Sequence, residues 1–296
     1  MLRTRGEKIF DTVNVIVLFL IAIIMLFPFY VTLIHSIAPP EDFGRKLINL
    51  WPSRIDFTAI RSLVGSNTGL VNAYGVTLFT TVVGTFLNML CTVPGSVALA
   101  NKKLPYRLPL TGIFVLTMYF GGGMIPAYLL NKYLGLINSV WVMIIPGLVG
   151  VGSMFLIRNF IMGIPQDIIE AASIDGCSDI GLLWRIILPL SVACMATFAL
   201  FFAVGHWNSF YACMMYITDP KKYNLQVYLR EVLRDQRNMT QNPEMMRQLR
   251  EADLPAPPSE SLKAANIMAA TLPIVCVYPF VQKYFVKGVV VGSLKG

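Results

Sequence analysis

Six long runs of apolar residues set the strongest limit on what this chain can fold into. Each run is long enough to cross a lipid bilayer as a helix, which takes about 20 residues. The runs cover residues 12–34, 71–99, 108–130, 136–160, 186–205 and 264–286. Only 14% of the residues are charged, against about 25% in soluble domains. The sequence therefore predicts an all-α integral membrane protein with six transmembrane helices, as a single domain over residues 1–296.

The distribution of positive charge bears on orientation. A net charge of +8 could indicate nucleic-acid binding, but no soluble basic domain is present to carry such a site. The short segments on the side of the termini hold 11 of the 24 Lys and Arg, whereas the short outer loop holds only Lys132. The positive-inside rule thus favours both termini in the cytoplasm, although two long outer segments also carry basic residues. The first apolar run exceeds the core of a secretory signal, which is about 7 to 15 residues long, so we interpret it as a retained span.

A polar segment, residues 161–185, interrupts the apolar runs. It includes the stretch IPQDIIEAASIDGCSDIGLLWR, although the preceding chain has no acidic residue between Asp56 and Asp167. This pattern predicts a short helix after Pro165, a turn with positive φ at Gly176, and a second helix capped by Ser178 or Asp179. Composition alone would allow an ordinary polar loop here.

The spacing of this segment resembles a known signature. Glu170-Ala171-Ala172, Gly176, Ile186 and Leu188-Pro189 are similar to the EAA motif in the membrane subunits of ATP-binding-cassette importers. The resemblance implies the type I importer permease fold, with a cytoplasmic coupling helix that docks on a separate ATPase subunit. It implies that the two alanines permit close approach and that the acidic groups pair with a basic partner. The coupling residues that the resemblance implies are Glu170, Ala171, Ala172, Asp175, Gly176, Ser178 and Asp179.

Other stretches narrow the resemblance. YFGGGMIPAYLLNKYLGLINSVWVMIIPG and LPIVCVYPFVQKYFVKGVVVGSLKG are similar to carbohydrate-importer permeases related to the second membrane subunit of the maltose system. Within these, the chain most resembles a branch associated with oligosaccharides from polysaccharides such as alginate or pectin. The implied partners are a second permease chain, two ATPase subunits and an external solute-binding protein, in the bacterial inner membrane. No phosphate-binding loop occurs in the chain, so the resemblance leaves ATP and Mg²⁺ to the ATPase subunits and no cofactor to this chain.

Aromatic and amide side chains are the candidates for contacts with a sugar. Aromatic faces stack on sugar rings and amides bond hydroxyl groups, but Trp and Tyr also collect at membrane interfaces. A buried amide within a span requires a partner, which is either another helix or the translocation cavity. The candidate path residues are Asn88, Tyr119, His206, Trp207, Asn208 and Tyr211.

Two other classes of function compete with the importer permease. An ion-gradient-driven secondary transporter usually carries ionisable groups near the midplane, and these runs have almost none. An intramembrane enzyme would need an acid, base or nucleophile in the same place. His35 and His206 lack neighbouring ligands at metal-binding spacing, so the sequence gives no support for a metal site.

Overall fold

The computed structural model describes residues 5–39, 42–43, 50–65, 68–241 and 260–276, which form helices and connecting turns without any β-strand. The sixth predicted span, 264–286, is therefore described only as far as residue 276. The helices are α1 Arg5–Ser36, α2 Thr58–Gly65, α3 Thr68–Ala100, α4 Arg107–Tyr119, α5 Met124–Tyr133, α6 Val151–Met162, α7 Gln166–Ile174, α8 Asp179–Leu182, α9 Leu188–Leu190, α10 Val192–Asn208, α11 Tyr211–Tyr216, α12 Leu225–Gln241 and α13, residues 260–276.

The chain divides into two compact units. One comprises Met1–Thr68 and Leu229–Ile274, and the other comprises Gly69–Tyr228 and Val275–Gly296. In the first unit, the Ser261 hydroxyl donates a hydrogen bond to the Ala38 carbonyl, 3.1 Å away. At the start of α2, the Asp56 carboxylate accepts hydrogen bonds from the hydroxyl and the N–H of Thr58. These bonds stabilise the charged carboxylate and so lower the pKa of Asp56.

Two of the described helices are continuous membrane spans. By length and composition α1 and α3 each suffice to cross a bilayer. Pro28 and Pro94 lie inside them, yet both helices continue past the proline, which a membrane helix tolerates when the freed carbonyl finds another donor. Pro28 leaves the Ile24 carbonyl, four residues earlier, without its helical donor. One turn later the Thr32 hydroxyl donates to the carbonyl of Pro28 itself at 2.8 Å.

The predicted third span, residues 108–130, is not one straight helix. It is broken between α4 and α5, whose axes differ by 111°. The break lies at Gly121, Gly122 and Gly123, and Gly123 has φ of +85°, a conformation that glycine adopts without steric cost.

The fourth and fifth spans are also bent. The turns at Val140–Gly147 meet α6 at 47°, and residues 179–190 meet α10 at 86°. Before the second bend the helix widens to a π turn at Leu183–Ile187. Pro189 follows this turn and cannot donate to the carbonyl four residues earlier, which explains why regular α-helical bonding is interrupted there.

A buried apolar cluster holds the second unit together around α3, α6 and α10. Its members are Val93, Ile157, Ile161, Ile164, Ile187, Cys194, Met195 and Phe198. Ile164, near the start of the polar segment, and Ile187, just after its end, both belong to this cluster, and Leu182 and Leu183 pack against it. Both ends of the segment are therefore fixed in the same cluster.

Candidate functional site: the coupling segment and the Asn88–His206 cluster

The polar segment, residues 161–185, is the predicted coupling segment and is called so below. Its first half ends in a motif that requires glycine. After α7, the N–H of Cys177 donates to the Ala172 carbonyl at 3.0 Å, while Gly176 between them has φ of +76°. This is the Schellman arrangement, in which the glycine reverses the chain and the next N–H bonds back to the helix. The predicted turn at Gly176 is thus confirmed, although α7 itself ends at Ile174.

The second half begins at a serine cap. The Ser178 side chain accepts a hydrogen bond from the Gly181 N–H at 3.2 Å, so the structure selects Ser178 over Asp179 as the N-cap. Asp179 occupies the first turn, where a negative charge is favourable.

Gly181 is a structural residue of the segment that the sequence did not single out. A Cβ at this position would lie 2.9 Å from the Cys177 Sγ and 3.3 Å from the Ser178 Oγ. A larger residue would therefore require the Cys177 and Ser178 side chains to shift, and the Ser178 side chain is the one that caps α8. The feature of the sequence that could have identified Gly181 is its position three residues after a serine that caps a helix.

The surface of the segment combines acidic and apolar side chains. Glu170, Asp175 and Asp179 are exposed, as are Ile174 at 85% and Ile180 at 71%. Both isoleucines lie outside the predicted membrane-spanning runs, so they are candidates for contact with a partner protein.

A groove of about 460 Å³ lies beside these residues, and its lining is formed by Gly176, Cys177, Ser178, Ile180, Gly181, Trp184 and Arg185. Ala171 is exposed, whereas Ala172 is buried against the unit. The segment therefore presents a surface that contains a groove and carries both acidic and apolar side chains.

Two candidate path residues meet in the interior of the second unit. Asn88, which is 2% exposed, donates from Nδ2 to the carbonyls of Gly147 at 2.7 Å and Leu148 at 2.9 Å. Its Oδ1 lies 2.7 Å from the His206 Nε2. Because the amide oxygen only accepts, Nε2 of the histidine carries the proton. This Asn88–His206 cluster joins α3, α10 and the bend before α6.

Gly84 makes the Asn88–His206 cluster possible. It lies one turn before Asn88 on α3, and a Cβ added there would be 2.5 Å from the His206 Nε2. The imidazole ring therefore packs directly on the backbone of α3. The sequence showed Asn88 and His206 separately but gave no sign that this glycine joins them.

The remaining path candidates do not join this cluster. Trp207 is half-buried and its carbonyl accepts from the Gln226 Nε2 at 3.4 Å. Asn208 is exposed, Tyr211 is 50% exposed and Tyr119 is 79% exposed. Asn88 thus finds the helix partner that a buried amide requires, and the sugar-path role of all six residues stays a prediction.

Comparison with known proteins gives consistent matches over almost the whole chain. Residues 6–291 match the family model described as "Binding-protein-dependent transport system inner membrane component". The chain is 37% identical to the protein LplC of Bacillus subtilis over 100% of this chain and 98% of the relative. It is 35% identical to the polygalacturonan/rhamnogalacturonan transport system permease protein YtcP of the same species, over 98% and 99% of the two chains.

A solved structure shows the same fold. A chain of a bacterial ABC transporter involved in the import of the acidic polysaccharide alginate superposes with a TM-score of 0.82 at 30% identity, over 96% of this chain and 99% of that chain. The predicted all-α permease fold is thereby confirmed.

Proposed function

The chain belongs to the family of binding-protein-dependent transport system inner membrane components, and from that premise we propose that it is the membrane-spanning permease subunit of an ATP-driven importer of oligosaccharides. The substrates are fragments of an acidic polysaccharide. The partners are a second permease chain, two ATPase subunits that bind ATP and Mg²⁺, and an external solute-binding protein. Both termini of the chain lie in the cytoplasm.

The construction of the coupling segment carries this proposal. It presents exposed acidic and apolar groups, and it is anchored at Ile164 and Ile187 in one buried cluster. A partner that moves the segment therefore moves α6 and the helical residues 179–190 together, because packed interiors do not deform continuously. Closure of the ATPase dimer on ATP would shift the permease towards its outward-open packing, and hydrolysis would return it.

The bends in the membrane spans are the positions at which the backbone can change direction during the shift to the outward-open packing. Ser191, between α9 and α10, has φ of −106° and ψ of 12°, outside regular helix, and residues 179–190 meet α10 at 86° there. Breaks of this kind, at the ends of elements, are where hinge motions occur.

The names of two similar proteins and the net positive charge of this chain support an acidic substrate. One relative is named for polygalacturonan and rhamnogalacturonan, and the structural neighbour serves alginate import. These polymers contain uronate residues, each with a carboxylate. The chain has a net charge of +8 and no acidic residue between Asp56 and Asp167, so most of its membrane-embedded sequence does not repel an anion.

The energy source is tested in proteoliposomes containing the assembled transporter. We expect uptake to require ATP on the side of the coupling segment and to persist when an uncoupler abolishes the ion gradient. Trapped ATP with and without vanadate serves as the matched control. Uptake that an uncoupler abolishes and that ATP depletion leaves unchanged would instead identify an ion-gradient-driven transporter.

The substrate class is tested by competition in the same proteoliposomes. We expect labelled tri-galacturonate or tri-mannuronate to enter at least about tenfold faster than maltotriose, the ratio that about 1.4 kcal/mol of differential binding produces. The measurement is initial uptake rate at equal concentration with the cognate binding protein. A preference for the neutral trisaccharide would refute the acidic substrate while leaving the permease function intact.

A further inference from the structure

Two arginines meet where the membrane-spanning region ends beside the coupling segment. Arg107 begins α4, and Arg158 lies in the last turns of α6. The Arg107 Nη2 is 3.8 Å from the Sδ of Met162, and Met162 is one helical turn beyond Arg158 on the same face of α6. The two guanidinium groups therefore share one side of the packed α4–α6 pair.

The charge of this arginine pair is not balanced by the described protein. The Nε of Arg158 is buried and has no hydrogen-bond partner among the described residues. Arg107 uses its Nε to donate to the Leu99 carbonyl at 2.9 Å, which is a neutral partner. The sequence has no Asp or Glu between Asp56 and Asp167, so α3, α4, α5 and α6 carry no carboxylate. A part-buried cation without a counter-ion is costly, which favours an external anion at this position.

Neighbouring groups add to the positive potential. Tyr106, at the N-cap of α4, has φ of 56° and makes no side-chain cap. The positive end of the helix dipole is therefore available to an anion. Lys102 and Lys103, in the turn just before, are both exposed.

The surroundings of the pair are apolar and exposed. Leu108 is 84% exposed, Phe160 41% and Met162 39%, and α4 buries none of its residues. In a membrane protein, apolar groups exposed in this way contact acyl chains. The anion that fits a basic site bordered by such groups has a lipid tail attached.

We propose that Arg107 and Arg158 bind the phosphodiester of an anionic phospholipid in the leaflet next to the coupling segment. Guanidinium groups bind phosphate oxygens in a bidentate manner, and basic pockets between membrane helices bind such headgroups. The identification of this leaflet as the cytoplasmic one rests on the proposed function. Because α6 leads directly into the coupling segment, the bound lipid fixes the helix through which that segment is anchored.

The test measures lipid binding to the full-length chain, purified with the subunits that accompany it, without ATP or sugar. In nanodiscs of phosphatidylcholine titrated with phosphatidylglycerol, native mass spectrometry should show retained phosphatidylglycerol on the wild-type protein. Arg158→Gln and Arg107→Gln should each weaken this binding about fivefold, the effect expected for loss of one basic group near a membrane surface. Arg158→Lys should restore part of the binding, since charge remains but the bidentate geometry is lost.

A control removes an exposed cation from a different turn. Lys221, in the turn Pro220–Lys222, is exposed, and Lys221→Gln should leave retention unchanged. Equal retention of phosphatidylcholine and phosphatidylglycerol, or unchanged binding in Arg158→Gln, would overturn the proposal. Competition by inorganic phosphate at equal concentration would identify a free-anion site instead. Loss of a partner chain from Arg158→Gln without loss of lipid would identify a protein carboxylate as the counter-ion. None of these results depends on transport, so failure of the proposed function would leave them unaffected.

Discussion

Gly176→Arg is expected to lower ATP-driven uptake by about tenfold or more while the chain still inserts into the membrane. Gly176 has φ of +76°, and an L-residue in this left-handed region costs about 1–2 kcal/mol. The Schellman bond from Cys177 to Ala172 depends on that conformation. A cost of about 1.4 kcal/mol corresponds to a tenfold change in an equilibrium, and the added cation also alters the acidic docking face. The measurements are uptake in proteoliposomes and the amount of ATPase subunit that copurifies.

Comparison of three substitutions, Gly176→Asn, Gly176→Ala and Gly176→Arg, separates the effect of backbone strain from that of steric contact. Apart from its chain neighbours, nothing lies within 4 Å of a Cβ built at this position, so a methyl group here causes no steric clash. Gly176→Asn should therefore retain most uptake, because asparagine tolerates the left-handed conformation, whereas Gly176→Ala should be intermediate. Full uptake by Gly176→Arg would show that the turn does not transmit force and would remove the main support for coupling through this segment.

Local features of the coupling segment could be predicted from the sequence because each depends on residues close together in the chain. The positive φ at Gly176 follows from a glycine that ends a helix, and the cap at Ser178 follows from a serine that begins one. The choice between Ser178 and Asp179 could not be made in advance, since both side chains suit a cap. The structure decides it because the Gly181 N–H reaches the serine oxygen.

The breaks in the spans were less predictable. Apolar length identifies a crossing but does not reveal whether the helix remains straight. Gly121, Gly122 and Gly123 gave a signal for the first break, whereas Ser191 gave none for the bend at α10. Pro28 and Pro94 are of the residue type that most often kinks a helix, yet they lie within helices that continue. Bending is thus decided by which neighbour satisfies the freed backbone groups, and this information is tertiary.

The Asn88–His206 cluster lay beyond any local pattern. Its two side chains are separated by 118 positions in sequence, and the carbonyls that Asn88 contacts belong to a third element. The sequence indicated that a buried amide needs a partner but not which one. Gly84 was still less visible, because a glycine within an apolar span has no distinguishing neighbours. Such long-range contacts are nevertheless what holds α3, α10 and the bend before α6 in register.

Gly84→Ala is therefore expected to destabilise the folded chain by about 2 kcal/mol, within the range for overpacking a well-filled interior. The new Cβ would lie 2.5 Å from the Nε2 and 2.6 Å from the Cε1 of His206. The ring must move away, and its hydrogen bond to the Asn88 Oδ1 is lost. An unpaired buried polar group costs about 1–3 kcal/mol. The expected result is a thermal unfolding midpoint several degrees lower in nanodiscs.

Gly75→Ala provides the matched control on the same helix, because no atom lies within 4 Å of a Cβ built at Gly75. Alanine favours helix over glycine by about 1 kcal/mol, so this control should be neutral or slightly stabilising, and the two substitutions should change the midpoint in opposite directions. Adding His206→Ala to Gly84→Ala should recover part of the loss by vacating the space that the new methyl group needs. Equal midpoints for Gly84→Ala and Gly75→Ala would mean that the imidazole does not pack on α3, and that the bend before α6 is held by other contacts.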